Sequence, residues 1–285
     1  MLSRSRSAAL VLVVVLVGLS MSSCGGDDLV IGVSTSLRDT GLLDELVDEF
    51  KRQRPGPAAT VKPVATGSGQ LIELARRGEI DILITHFPEA EAELIADGDG
   101  IDRRRLMHNF FVLVGPPDDP AGVRAAASLP AALRLIAGAE ATFVSRGDNS
   151  GTHFRELALW RQAGIDPVGE SWYQESGAGQ GQSLLVASDK GAYTVVDSGT
   201  FVVFEERLEL EPYVSDEEPN QYSIIRVNPD RHDVNGAAAL AFAEFLTSPA
   251  AQRIIAEFGR EEYGEPLFVP AGPVSDMTSV PVSIP

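Results

Sequence analysis

Short apolar runs alternate along most of the chain with stretches whose apolar side chains recur every three or four residues. The strand-like runs cover residues 29–33, 61–65, 81–85, 110–114, 142–145 and 222–227. The helix-like stretches cover residues 42–50, 71–75, 89–96, 129–137, 154–162, 234–246 and 249–258. Regular alternation of these two periods predicts an α/β protein with mostly parallel sheets flanked by helices.

Two of these strands are placed to connect two lobes. The run at 110–114 ends at a Gly-Pro-Pro-Asp turn, and the run at 222–227 ends at Asn-Pro. We therefore expect lobe 1 to contain residues 29–113 plus 222–270 and lobe 2 to contain residues 114–221, with a ligand cleft between them. Residues 271–285 carry Pro, Ser and Val without periodicity, which predicts a flexible tail.

The N-terminal residues 1–23 have the pattern of a signal peptide. Arg4 and Arg6 precede an apolar run at residues 8–19, which is short for a membrane span. Small residues then precede Cys24, the single cysteine of the chain, as in a bacterial lipobox. A lone cysteine at a mature N-terminus cannot form an internal disulfide. We expect Cys24 to carry a lipid anchor and residues 24–28 to form a tether.

The composition is acidic and limits the possible partners. The formal net charge is −18, and it becomes −20 when Arg4 and Arg6 leave with the signal peptide. An acidic protein repels polyanions at long range, which argues against nucleic acid as a partner. An anion site in this chain would have to depend on local hydrogen-bond donors, since bulk attraction is absent.

Three predicted strand-to-helix turns are rich in hydroxyl groups and glycine. The longest reads F-V-S-R-G-D-N-S-G-T-H over residues 143–153, and the others are V-S-T-S over 33–36 and T-G-S-G-Q over 66–70. A helix N-terminus offers unpaired N–H groups and about half a positive charge, and arginine adds multi-donor recognition of oxyanions. These turns therefore favour an anion site. Its candidate donors are Ser34, Thr35, Ser36, Ser68, Ser145, Arg146, Ser150, Gly151 and Thr152.

In these motifs the chain resembles the tungstate-binding proteins of bacterial tungstate ABC importers, which are type II periplasmic oxyanion-binding proteins. The resemblance runs from about residue 29 to residue 270. It rests on six ordered motifs: V-S-T-S-L-R-D-T-G-L-L (33–43), G-S-G-Q (67–70), H-F-P-E-A-E (86–91), the turn at 143–153, D-K-G-A-Y-T-V-V-D (189–197) and I-I-A-E-F-G-R-E-E-Y-G-E-P-L-F (254–268). Val33 and Ser34 stand where the family usually has threonines, and Ser68 replaces the threonine of its G-T-G turn. A donor at position 33 would therefore be the backbone N–H alone.

The resemblance implies a two-lobed periplasmic-binding-protein-like fold of type II with the ligand in the cleft. It implies an extracytoplasmic lipoprotein that captures tungstate and delivers it to an ABC permease, touching the membrane only through its lipid. Most weight falls on Arg146 and Thr152. We further expect a monomer that needs no cofactor, because the tetrahedral oxyanion is the ligand. A phosphate- or molybdate-binding lipoprotein of the same fold is the alternative.

Asp148 bears on the choice of oxyanion. Phosphate at neutral pH still carries a proton and needs an acceptor, whereas tungstate, molybdate and sulfate need donors only. An Asp148 that faces the ligand would favour phosphate. An Asp148 that pairs with Arg146 or caps the following helix would favour a bare dianion. The sequence leaves both orientations open.

A secreted hydrolase is a more distant alternative, and we expect no enzyme activity. Ser34, His86 and His153 can be imagined in a triad, but the chain has no G-x-S-x-G motif and no carboxylate–histidine spacing to support one. The four histidines are scattered and Cys24 is assigned to the lipid, so no metal site is expected.

Overall fold

A computed structural model describes residues 28–53 and 60–272. The predicted signal peptide, Cys24, residues 24–27 of the tether and residues 273–285 of the tail lie outside this range. In chain order the elements are β1 (Leu29–Ser34), α1 (Thr35–Thr40), α2 (Leu42–Gln53), β2 (Val61–Thr66), α3 (Ser68–Arg76), β3 (Ile82–Thr85), α4 (Pro88–Ala96), β4 (Gly100–Gly115), α5 (Leu129–Gly138), β5 (Phe143–Ser145), α6 (Gly151–Ala163), β6 (Tyr173–Glu175), α7 (Gln180–Lys190), β7 (Thr194–Asp197), α8 (Ser198–Phe204), β8 (Glu211–Val227), α9 (Gly236–Leu246), α10 (Pro249–Glu257), α11 (Arg260–Tyr263) and β9 (Val269–Pro270).

Two long antiparallel strands, β4 and β8, form the middle of the main sheet. The strand order is β2-β1-β3-β8-β4-β7, and β9 pairs with β4. The β1–β2 and β1–β3 pairs are parallel, as is the separate β5–β6 pair, whereas β3–β8, β4–β8 and β4–β7 are antiparallel. The predicted two-lobed α/β class is confirmed. The sheet itself is mixed, because the strands that join the lobes run in opposite directions.

The apolar core divides into groups on either side of this crossing. Leu106 and Met107 of β4 pack with β1, α2 and α9, whereas Phe111 and Leu113 of the same strand pack with α5 and α6. Strands β4 and β8 therefore pass through both lobes. The boundaries drawn after residue 113 and before residue 222 stay a prediction. Among the described residues, no helix has both the length and the apolar character needed to cross a membrane.

Candidate functional site

Each of the three polar turns found in the sequence lies between the end of a strand and the start of the following helix. Ser34 caps α1, with its Oγ accepting from Leu37 N at 3.3 Å, and Ser150 caps α6 in the same way through His153 N at 3.3 Å. Ser68 is the first residue of α3 and is fully buried. Ser34 and Ser150 therefore act as N-caps, whereas α3 has Gly67 at its N-cap position and no side-chain cap.

Contacts between the lobes bring these turns together. Gly69 N of α3 donates to Asn149 O beside α6 at 3.2 Å. On the other side of the site, Thr35 Oγ1 of α1 accepts from Gln180 N of α7 at 3.4 Å and from the Arg146 guanidinium at 3.4 Å. The helix N-termini of both lobes thus surround one buried region.

Arg146 is the guanidinium of this region and is almost fully buried, with 1% of its surface exposed. Its Nε donates to Ala178 O at 3.0 Å and its Nη1 to Gln180 Oε1 at 2.7 Å. Its Nη2 also donates to the carboxylate of Asp148. The side chain is therefore held in place by lobe 2 itself, independently of any guest.

Asp148 pairs with Arg146, which is one of the roles that the sequence had left open, whereas the cap of α6 is Ser150. One carboxylate oxygen pairs with Arg146, and the other accepts from Ser150 N at 3.1 Å. The turn that makes this possible contains Gly147 at φ +59° and Asn149 at φ +55°. Asparagine tolerates the left-handed region better than most side chains, and glycine enters it freely. Both acceptor oxygens of Asp148 are thus engaged by the protein.

Three buried polar atoms at the starts of α3, α6 and α7 have no hydrogen-bond partner among the described residues: Ser68 Oγ, Thr152 Oγ1 and Gln180 Nε2. An unpartnered buried donor is unfavourable by about 1–3 kcal/mol, so such groups in a native fold call for an explanation. Ser68 and Thr152 belong to the set proposed from the sequence. Gln180 was missed, although the G-A-G-Q stretch at 177–180 has the same form as G-S-G-Q at 67–70.

The Ser145 hydroxyl has a different partner from the one expected. It donates to Glu156 Oε2 at 2.7 Å, so its single proton is unavailable to a guest. Glu156 also accepts from Tyr173 Oη at 2.7 Å and from Trp160 Nε1 at 3.2 Å. Complete burial raises the pKa of Glu156 to about 7, against these hydrogen bonds, which lower it. The sequence could not indicate that Glu156, eleven residues away, accepts from this hydroxyl, and a role of Ser145 in binding through its backbone stays a prediction.

The remaining candidate residues line the same region with hydroxyls and backbone. Ser36 Oγ lies 3.1 Å from Ser34 Oγ and 3.2 Å from Tyr222 Oη, and all three residues are buried. Gly151 packs against the backbone and the ring of His86 of lobe 1. A Cβ atom at position 151 would be 2.7 Å from His86 O, so only glycine permits this approach.

A chain of buried hydrogen bonds crosses the two long strands beside the site. Asn109 Nδ2 of β4 donates to Asp197 Oδ1 at 2.9 Å, and Asn220 Nδ2 of β8 donates to Asn109 Oδ1 at 2.8 Å. His86 Nδ1 then lies 2.9 Å from Asn220 Oδ1 and acts as the donor, because that oxygen can only accept. Burial lowers the pKa of His86 to about 4, so the ring is neutral at pH 7.

This arrangement can hold an anion by neutral donors and one guanidinium. Within residues 28–53 and 60–272, no group of three His, Cys, Asp or Glu side chains could hold a metal ion.

A family model described as a PBP superfamily domain matches residues 21–250. Fold and site together define a two-lobed binding protein of this superfamily.

More specific relatives exist within the superfamily. The chain is 41% identical over 249 residues to the tungstate-binding protein TupA of Peptoclostridium acidaminophilum, covering 85% of each chain. A solved structure of the tungstate ABC transporter from Geobacter sulfurreducens matches with a TM-score of 0.74 at 37% identity, covering 81% of this chain and 98% of that one. The tungstate-binding protein TupA of Desulfovibrio alaskensis G20 matches with a TM-score of 0.70 at 38% identity, covering 86% and 99%. The chain belongs to this family of ABC-importer binding proteins.

Proposed function

We propose that this protein captures tungstate in the cleft between its lobes and delivers it to an ABC importer. The observation that carries the proposal is the set of unpartnered buried donors, Ser68, Thr152 and Gln180, at helix N-termini around Arg146. Oxygen atoms of a tetrahedral dianion would satisfy these donors. Hydrogen bonds to charged groups contribute about 1.5–3 kcal/mol each. A handful of them, after the unfavourable association entropy, is enough for affinity in the nanomolar range.

The state of Asp148 supports a fully ionised oxyanion over phosphate. Both of its oxygens accept from the protein, from Arg146 and from Ser150 N. A protonated phosphate oxygen would need an acceptor, and this carboxylate is instead directed at Arg146 and at the backbone of Ser150. Tungstate, molybdate and sulfate make no such demand. The named relatives favour tungstate among them, and molybdate is the alternative of the same site class.

Calorimetric titration of the purified soluble domain tests this proposal directly. We expect one tungstate per chain with nanomolar affinity, weaker binding of sulfate, and no competition from equimolar phosphate. Displacement of tungstate by phosphate at equal concentration would contradict tungstate as the ligand. The proposal of an oxyanion site would still stand. Equal affinity for molybdate would widen the substrate class to both metal oxyanions.

The proposal includes the location of the protein and its partners. We infer a monomer on the extracytoplasmic face of the membrane, attached only through a lipid on Cys24 and docking to the importer permease. It would need no cofactor and release its ligand chemically unchanged, so we expect no hydrolase activity. In cells, Cys24→Ala should leave the precursor uncleaved or release the protein from the membrane fraction. A mature, membrane-bound Cys24→Ala protein would contradict the lipid attachment.

A further inference from the structure

Helix α7 begins without a capping side chain of its own. Gly179 occupies the N-cap position and offers no side-chain acceptor. The first N–H groups of the helix are instead satisfied from lobe 1. Gly181 N donates to Asp39 Oδ2 at 3.2 Å, and Gln180 N donates to Thr35 Oγ1 at 3.4 Å. The cap of this lobe 2 helix is therefore supplied from across the cleft by α1.

The start of α7 carries groups that hold the site together. Gln180 Oε1 accepts from Arg146 Nη1 at 2.7 Å, and Ala178 O, just before the helix, accepts from Arg146 Nε at 3.0 Å. Gln180 also presents the unpartnered Nε2 group to the buried region. The position of the first turn of α7 thus determines where Arg146 and the Gln180 amide point.

We propose that Asp39 is a positioning residue: its carboxylate caps α7 across the cleft and slows ligand release by holding Gln180 and Arg146 in place. The choice of tungstate as the probe rests on the function proposed above. Asp39 lies within the V-S-T-S-L-R-D-T-G-L-L motif, and no ligand-binding role had been assigned to it. Its side chain is largely buried, with 13% of its surface exposed, beside the exposed Arg38 at 2.9 Å.

Two physical effects of Asp39 have opposite signs, so they can be separated. As a nearby negative charge, Asp39 repels an anionic ligand, and its removal would tighten binding. As a helix cap, it stabilises the ligand-holding geometry, and its removal would loosen binding. The direct contact of Oδ2 with Gly181 N favours the second effect. Faster release after its removal is therefore the expected sign.

The test compares three variants of the soluble domain by stopped-flow release of tungstate into excess molybdate. Asp39→Ala removes the acceptor and should raise the release rate about 2- to 30-fold, the range for loss of an N-cap. Asp39→Asn keeps an acceptor of similar capping strength and should stay within about twofold of the parent. Asp48→Ala removes the same charge from an exposed position on α2 and should leave release unchanged.

Release from Asp39→Ala that is as slow as from the parent, or slower, would overturn the proposal. Amide hydrogen exchange at Gly181 gives a second readout that needs no ligand. Exchange there should be faster in Asp39→Ala than in the parent and in Asp39→Asn, and equal rates in all three would contradict the cap. Absence of tungstate binding by the parent would contradict the proposed function alone, because the exchange measurement decides on the cap independently.

Discussion

Arg146 is oriented by the protein before any ligand is considered. Its contacts with Ala178 O, Gln180 Oε1 and Asp148 are all made within lobe 2. Preorganised donors lose little conformational entropy on binding, which is how a small number of contacts gives high affinity. The same burial means that an anion in the site would depend strongly on this guanidinium.

Arg146→Ala should therefore weaken tungstate binding by about 3–5 kcal/mol, the range for removing one partner of a buried charge pair. This corresponds to roughly 10²- to 10³-fold or more in the dissociation constant. Calorimetric titration measures the loss, and circular dichroism checks that the variant is folded. If the folded Arg146→Ala protein binds tungstate as tightly as the parent, Arg146 does not contribute to ligand binding.

Thr152→Val belongs to the same experiment and isolates one hydroxyl. The substitution preserves shape and removes the unpartnered Oγ1, so affinity should fall by about 1.5–3 kcal/mol and the ligand-free fold should not be weakened. Arg161→Ala removes the same type of side chain as Arg146→Ala from an exposed position of α6, and it is the matched control for that substitution. Arg155 is unsuitable as a neutral control, because it holds the buried Asp216 through two bonds of 2.6 and 2.8 Å.

Glu156 gives the protein a pH dependence of known sign. Its pKa is raised from 4.5 to about 7 in the folded state, so its stabilising contribution is complete below pH 4.5 and is lost as the pH rises through 7. Relative to Glu156→Gln, the parent should lose up to about 3 kcal/mol of unfolding free energy between pH 4.5 and 8. Urea unfolding of both proteins at each pH measures this difference. His86, whose lowered pKa acts in the opposite direction, is common to both and cancels.

The sequence indicated which hydroxyl residues lie at helix N-termini. It could not indicate which of these hydroxyl groups already have a hydrogen-bond partner within the protein. Ser68 and Thr152 were proposed from glycine-rich turns, and both are unpartnered in the structure. Ser145 came from the same pattern, yet its proton goes to Glu156. That contact depends on the packing of α6 beneath β5, which no local motif encodes.

Among the elements, the start of α6 packs closely against the opposite lobe. Gly151 meets His86 O and the His86 ring from lobe 1. Gly151→Ala would place a methyl group 2.7 Å from that carbonyl, so the lobes would have to separate slightly. We expect tungstate affinity to fall by about 1–3 kcal/mol, the usual range for overpacking.

A matched alanine substitution controls for the backbone effect of Gly151→Ala. Gly138→Ala in α5 adds its methyl group in open space and should bind tungstate as the parent does. Both variants are compared by calorimetry and thermal unfolding. Parent-like affinity in Gly151→Ala would show that the lobes tolerate a wider spacing.

The elements also show where periodicity is informative. Most predicted strands and helices are present at nearly the predicted bounds, including α9 and α10. The strand predicted at 110–114 is in fact sixteen residues long, and the strand at 222–227 is seventeen. The polar parts of these strands, Arg103 to Arg105 in β4 and residues 216–220 in β8, lack the apolar alternation from which the shorter bounds were predicted. Pairing with each other replaces the apolar pattern as the reason for strand structure.

For the whole molecule, closure should accompany binding. Donors and caps from both lobes meet around the site, through Gly69 with Asn149 and through Asp39 with Gly181. A ligand that bridges the lobes stabilises the conformation in which these contacts form. Small-angle scattering should therefore give a smaller radius of gyration with tungstate than without it. Identical curves would indicate a cleft that is closed at all times or a site confined to one lobe.

The local and the long-range electric fields of this protein have opposite signs for an anion. Helix N-termini and Arg146 attract it inside the site, whereas the net charge, −18 for the full sequence and −20 without the signal peptide, repels it outside. Mobile ions screen charges beyond about 8 Å at 0.15 M ionic strength and enter a buried site poorly. Raising the salt concentration should thus speed the capture of the oxyanion and leave its escape nearly unchanged. Capture of the oxyanion by this protein should therefore be at least as fast in brine as in fresh water.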